Sequence, residues 1–201
     1  ILAIDSLELE SDLNRFKGAL TLTGKDNTLK NVFTSGSVKL VISEGSLHVG
    51  DLLEKPSYFK NTDTFAISLN AEGPLNELKF KNVKIANEAV SFDGSLDVQH
   101  LLDPEKPNFL LDIESMEILT ASFAEHIPNL EKNNNRYLEL LEKIQFSGSI
   151  SSTTKGLNLA LLSTNGWGDF SLSGGIGMGF LENQDKNRSF DLSVNLQDVS
   201  L

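Results

Sequence analysis

The 201-residue chain contains no cysteine. That removes disulfide frameworks, thiolate metal sites and cysteine nucleophiles together. It leaves the compartment open, because a chain without thiols tolerates reducing and oxidising surroundings alike. Long apolar runs are also missing. The longest cover four residues, Ile1–Ile4 and Leu159–Leu162, against the roughly 20 that a helix needs to cross a bilayer. Positive charge is in deficit: 17 Lys+Arg against 28 Asp+Glu leave a formal net charge of −11. An acidic surface repels phosphate backbones, so no nucleic-acid partner is expected. The start carries neither an initiator Met nor a signal-peptide pattern,. Both ends, Ile1-Leu2-Ala3-Ile4 and Asp198-Val199-Ser200-Leu201, read as strand, and we expect a single β-rich segment, 1–201, cut from a longer protein.

The usual catalytic constellations are absent as well. His48, His100 and His126 stand 52 and 26 residues apart and form no close metal-binding pair,. A solvated or capping role is expected for each. There is no G-x-S-x-G nucleophile elbow and no acidic calcium loop. The run Gly174-Gly175-Ile176-Gly177-Met178-Gly179 lacks the Lys-Ser/Thr of a phosphate loop and reads as a curved strand,. Asp93, Asp97, Asp112 and Asp191 fall on alternate, outward positions, where they serve solubility and edge protection instead of paired acid–base work,. We therefore expect no enzyme, no metal and no cofactor. Asn187-Arg188-Ser189 matches a glycosylation sequon, with nothing beside it to give the match weight,. The one tryptophan sits in Gly166-Trp167-Gly168. It reads as a strand-end ring covering the sheet rim, with a sugar-stacking platform as the alternative.

What the sequence does have is alternation. Phe16, Gly18, Leu20 and Leu22 take every second position, as do Phe65, Ile67, Leu69 and Ala71, and Phe92, Gly94, Leu96 and Val98. The pattern continues through Phe109, Leu111 and Ile113, through Ile144, Phe146, Gly148 and Ile150, and through Leu157, Leu159 and Leu161. It closes with Leu172, Gly174, Ile176, Met178 and Phe180, then Phe190, Leu192, Val194 and Leu196. Period two gives one apolar and one wet face, which marks half-buried antiparallel strands. Shorter pairs, Val38/Leu40/Ile42, Leu47/Val49, Leu78/Phe80 and Val83/Ile85, fill the gaps. Reversals are expected at Gly24–Asn27, Glu44-Gly45, Gly73-Pro74, Asn165-Gly166 and Asn183–Asn187,.

Two stretches break the rhythm. Leu52–Phe59 reads as a loop or short helical turn. Around 120–143 the period becomes helical, which predicts one or two short helices and offers a possible subdivision into 1–119 and 144–201. A cassette, apolar-x-Gly-x-apolar, recurs around Gly18, Gly94, Gly148 and Gly174, at irregular spacings of 76, 54 and 26 residues. A mid-strand Gly on the apolar face marks a bend, a bulge or a close backbone approach.

The arrangement of these strands resembles the central repeats of TamB-like translocation and assembly module proteins and their AsmA-like relatives. The resemblance rests on Phe92-Asp93-Gly94-Ser95-Leu96-Asp97-Val98, then Phe109-Leu110-Leu111-Asp112-Ile113, then the short helical piece Thr120–Pro128. It continues in Ile144–Ile150, Leu157–Leu161, the Gly166–Gly174 stretch and Ser189–Leu196. It covers roughly residues 60–201 and is a strand rhythm, with no catalytic signature. Residues 1–60 agree in strand character alone, and the Asn-rich stretch Lys132–Arg136 departs from the pattern. The resemblance implies a periplasmic bridge between the inner and outer membranes of Gram-negative bacteria. It implies a curled, open β-trough linked to phospholipid movement and outer-membrane protein assembly, with an inner-membrane anchor outside this segment.

One-faced strands must cover their apolar side. A curled antiparallel sheet forming an open groove would cover it with lipid acyl chains; a second sheet would make a β-sandwich, as in a cell-surface adhesin or carbohydrate-binding module. Both architectures demand the same alternation. On the first reading, the lining is formed by Phe16, Leu20, Phe65, Ile67, Phe92, Leu96, Phe109, Leu111, Phe146, Ile150, Leu172 and Ile176. The expected partners are then phospholipid acyl chains and, through the parent protein, outer-membrane assembly proteins.

Overall fold

The computed structural model describes residues 1–24, 35–48, 64–101, 108–124, 142–153, 156–166, 168–177 and 190–197. They form β1 (Leu2–Glu10), β2 (Arg15–Thr23), β3 (Ser37–His48), β4 (Thr64–Pro74), β5 (Glu77–Ala86) and β6 (Val90–Gln99). These are followed by β7 (Asn108–Leu119), a five-residue helix α1 (Thr120–Ala124), β8 (Lys143–Thr153), β9 (Gly156–Asn165), β10 (Gly168–Gly177) and β11 (Phe190–Gln197). All eleven strands belong to one sheet in strict sequence order. Every pairing is antiparallel. Among the described residues β1 and β11 do not pair with each other, so the sheet is not closed into a barrel.

Local chemistry sets the short reversals. Between β1 and β2, the Ser11 N–H donates to the Asn14 carbonyl at 2.8 Å, and the Asn14 N–H donates to Ser11 Oγ at 3.1 Å. Between β5 and β6, Asn87 Oδ1 accepts from the N–H groups of Ala89 and Val90 at 2.9 and 2.8 Å. Such side-chain mimicry of a turn is why Asn and Ser mark reversals. The segment between β7 and β8 is pinned at its base, where Thr120 Oγ1 donates to the Glu142 carbonyl at 2.9 Å. Lys143 opens β8, so the expected helical stretch 120–143 holds helix only at Thr120–Ala124 among the described residues. Residues 125–141 lie outside them, as do Leu52–Phe59.

Glu44-Gly45, expected to reverse the chain, instead lies inside β3. The apparent break there is a register shift: Ile42 faces Leu69, and Gly45, three residues on, faces Ile67, only two residues back. The same three-for-two exchange occurs between Ile4 and Leu7 in β1, Phe80 and Val83 in β5, and Ile113 and Met116 in β7. Each is a bulge, which keeps both flanking apolar residues on one face while bending the strand and raising its twist. Bulges on β1, β3, β5 and β7, all in one transverse band, curl that half of the sheet. The pairings β8–β9, β9–β10 and β10–β11 run without a shift.

Three of the four cassette glycines, Gly18, Gly94 and Gly148, pair with residues that flank these bulges. Gly94 pairs with Val83 and Ile113, each at the rim of a bulge, and a Cβ on Gly94 would lie 2.2 Å from the Asp112 carbonyl oxygen. Gly148 adopts φ +131°, and its Cβ would lie 2.0 Å from the Ala160 oxygen. The expectation of close backbone approach at the cassette holds at both.

There is a single layer among the described residues. Only Phe65, Ala71, Leu78, Ala89 and Ile113 are buried apolar residues. The open curled sheet is thus the observed architecture, and the sandwich alternative finds no second sheet among these residues.

The glycine geometry gives a direct test. Gly148→Ala should lower unfolding stability by about 1–3 kcal/mol, from a collision and a positive φ together. Gly175→Ala, whose nearest atom is the Asn158 Oδ1 at 3.5 Å, should stay within about 0.5 kcal/mol of the parent. Urea titration of the two variants measures the contrast.

Candidate functional site

Directly opposed residues in an antiparallel pair point to the same face. Following the pairings strand by strand therefore maps the face. One row crosses the whole sheet: Ile4, Leu20, Leu40, Ala71, Phe80, Leu96, Leu111, Ile150, Leu159, Gly174, Leu192. A second also crosses it: Leu9, Phe16, Gly45, Ile67, Ile85, Phe92, Met116, Phe146, Ser163, Phe170, Leu196. Between them runs the bulged band, with Gly18, Ile42, Leu69, Val83, Gly94, Ile113, Gly148, Leu161 and Leu172. At about 4.8 Å per strand, a full row extends about 48 Å. Ser163 is the one polar side chain in the two rows.

All twelve residues expected to line the groove lie on this face. Leu20, Leu96, Leu111 and Ile150 belong to the first row and Phe16, Ile67, Phe92 and Phe146 to the second. Leu172 lies in the band between them. Phe65, opposite Leu47, extends the face past the second row; Phe109, opposite Val98, and Ile176, opposite Leu157, extend it past the first. Phe65 is buried, at 8% exposure. The other eleven are half-buried, covered by their row neighbours and open above. Phe80, Ile85 and Met116 belong to the same surface and were not among the twelve. Bulges shift their phase against their neighbours, so a strict period of two separates residues that the sheet aligns. Phe170 and Leu159 were missed although no bulge intervenes; the alternation there was the available signal.

One spot on the face has internal structure. The Phe146 and Phe170 rings meet edge to face, with centroids 6.3 Å apart and planes at 84°. Ser163 lies between them in the row, 3% exposed, and its Oγ has no hydrogen-bond partner among the described residues.

The opposite face is polar, and over β1–β7 it is charged. Its rows set opposite charges side by side: Lys39, Glu72, Lys79 and Asp97 are successive partners. Lys84 reaches Asp93 at 3.1 Å, Arg15 reaches Glu8 at 2.6 Å, and Lys143 reaches Glu117 at 3.0 Å. Lys81 pairs with Glu72. Exposed pairs of this kind contribute little to stability but keep that face in water. Asp93 and Asp97 are thus ion-pair partners on the wet side, as their alternate spacing implied. Two shallow depressions open on this side, one along Glu8, Lys17 and Val41, the other along Lys39, Glu72 and Lys79. Charged side chains border both, Glu8 and Lys17 in the first and Lys39, Glu72 and Lys79 in the second.

Among the described residues no cluster of three or more His, Asp or Glu could hold a metal ion. No described helix is long and apolar enough to cross a membrane. His48, for which a solvated or capping role is expected, is half-buried at the end of β3. Its N–H donates to Asn14 Oδ1 at 2.7 Å, while its ring Nδ1 is buried without a hydrogen-bond partner. His100 ends β6 in a left-handed turn, φ 59°. His126 and Trp167 lie outside the described residues.

Fold and face together define a class: an open, single-layer antiparallel sheet with one apolar and one polar side. Compared with known proteins, the chain matches no family model, no curated protein and no solved structure.

The polar face yields a pH prediction. The Arg15 guanidinium holds the Glu8 carboxyl below its ordinary value near 4.5, Lys81 does the same for Glu72, and Lys143 with Gln145 for Glu117. A carboxyl with a lowered folded-state pKa favours folding at pH above its unfolded value, and that contribution fades as pH falls through the folded value. Thermal melts should hold steady from pH 7 to 5 and drop below pH 4.5. Lys81→Gln should shrink the drop, and added salt should shrink it further.

Proposed function

We propose that the apolar face shelters lipid acyl chains, and that this segment forms part of a non-enzymatic bridge for intermembrane phospholipid transport. One observation carries the reading: an apolar surface eleven strands wide has no second layer against it among the described residues. A surface of that extent does not stay bare in water. Burying a methylene contributes about 0.8 kcal/mol, so a 16-carbon chain laid along such rows would gain about 10 kcal/mol. The polar headgroup would stay in water at the open side. The resemblance to TamB-like and AsmA-like proteins supports the same reading and adds a periplasmic setting. There the sheet would continue in a parent protein that also serves outer-membrane assembly.

Leu96 and Ile150 are the residues on which to test it. They are half-buried, in the middle of the first row. Native mass spectrometry of protein purified without detergent should find bound phospholipid. Leu96→Arg and Ile150→Arg should abolish that binding and slow lipid transfer between vesicles at least tenfold, while the β-sheet circular dichroism is retained. Lipid-free parent protein that stays monomeric and well folded would overturn the reading. So would an arginine variant that transfers lipid at the parent rate.

A further inference from the structure

Ser163 breaks the apolar face at a place where packing asks for no polar group. In its row it is flanked by Phe146 on β8 and Phe170 on β10, which pair with it directly. Its Oγ is buried and has no hydrogen-bond partner among the described residues. A buried hydroxyl left so costs stability, and an alanine in its place would carry no such cost. The rings set the local geometry. Directly opposed residues have Cα atoms about 5 Å apart, which puts those of Phe146 and Phe170 about 10 Å apart. Their ring centroids are 6.3 Å apart, so the two rings lean toward each other across β9. Asn165, two positions on from Ser163 and opposite Ile144 and Gly168, is the next residue of β9 on this face. The side chains of Ser163 and Asn165 thus make a short polar track from the second row to the end of β9.

We propose that Ser163 is the point at which the apolar face recognises an acyl ester, its hydroxyl donating to the ester carbonyl oxygen once the Phe146 and Phe170 rings turn aside. The inference rests on the lipid reading above and names the part of the lipid that is recognised. What surrounds the hydroxyl selects the ligand's chemistry. The two rows that cross the sheet carry no charged side chain, so a carboxylate or phosphate placed there would be an unpaired charge. The acceptor is therefore neutral. It is also joined to hydrocarbon, because the neighbouring side chains on this face are Phe146, Leu161, Phe170 and Leu172. An acyl ester is such a group: a carbonyl acceptor with no charge, at the head of a methylene chain. Water is a poor substitute, since it needs two or more polar partners and the neighbouring side chains in the row supply none. From Ser163 the acyl chain enters the rows, and the headgroup leaves past Asn165. The edge-to-face contact that the rings give up is weak, and contact with the chain replaces it.

Replacing the ester linkage isolates the contact. The probes are a diacyl phosphatidylethanolamine and its dialkyl ether analogue with equal chains, which differ at the carbonyl. One hydrogen bond of this kind changes affinity about two- to tenfold. From vesicles holding both lipids in equal amount, the 201-residue chain should take up the diester over the diether by that factor. Ser163→Ala should lower diester uptake to the diether level with the β-sheet signal intact. The lipid-free variant should melt at or above the parent temperature, because it deletes a hydroxyl that has no partner. With an isotope-labelled ester carbonyl, the infrared band of bound lipid should sit at lower frequency in the parent than in Ser163→Ala. Equal uptake of the two lipids by the parent would overturn the proposal and leave the lipid reading standing. A preference that Ser163→Ala retains would overturn it as well, as would a variant that melts well below the parent, which would assign the hydroxyl to the fold's own bonding. Uptake of neither lipid would remove the lipid reading and this proposal with it.

Discussion

The constraint on which the structure turns is register. Each strand buries its apolar side chains against the strands beside it, because no second layer lies above them among the described residues. Rows such as Leu96–Leu111–Ile150 and Phe92–Met116–Phe146 hold only while each strand keeps its phase with both neighbours. A slip of one residue would send every Leu, Ile and Phe of that strand to the charged side. The polar face enforces the same phase, since Lys79 meets Asp97 and Lys84 meets Asp93 only in the observed alignment. Weak ion pairs thus act here as alignment marks, whatever their small energies.

The bulges reconcile that constraint with curvature. A strand could bend by losing pairing, at the cost of orphaned backbone groups. Here β1, β3, β5 and β7 each insert one extra residue and resume pairing on the far side. Glycine on the intervening strands, at Gly18 and Gly94, lets the bulged neighbours approach from both sides. The apolar surface is therefore continuous although the strands beneath it are not regular. Its curled part is charged on the back; its regular part, β8–β11, is nearly neutral.

Much of this was legible in the residues. Period two gave the strands, and one-sidedness gave the two faces. All twelve residues expected to line a groove fall on one of them because none of the inferences depended on counting across a bulge. Boundaries were lost where the phase slipped. Ile42 to Gly45 and Phe80 to Val83 are offsets of three, which read as the end of one strand and the start of another. In the sheet they are single strands, β3 and β5. An offset of three between two alternating apolar runs is therefore compatible with a bulge inside one strand, even where a turn pair such as Glu44-Gly45 falls within it,. The choice between an open sheet and a sandwich was not legible, because both use identical half-buried strands. The Ser163 hydroxyl set between Phe146 and Phe170 in the row, without a partner among the described residues, was also hidden, since it depends on strands that no local pattern links.

The strict neighbour-to-neighbour order has a kinetic side. Apart from α1 against β7, the substantial packing in the described molecule joins strands adjacent in sequence, so no long-range closure has to precede the rest. Such a chain behaves as a nearly one-dimensional array, in which ordering starts at whichever hairpin forms first and spreads outward. Loosening runs the other way, inward from the two ends of the array. β1 is reinforced by the Arg15–Glu8 pair, whereas β11 pairs only with β10 among the described strands. Amide exchange should therefore form a gradient along the array, quickest at its final hairpin and slowest near its middle.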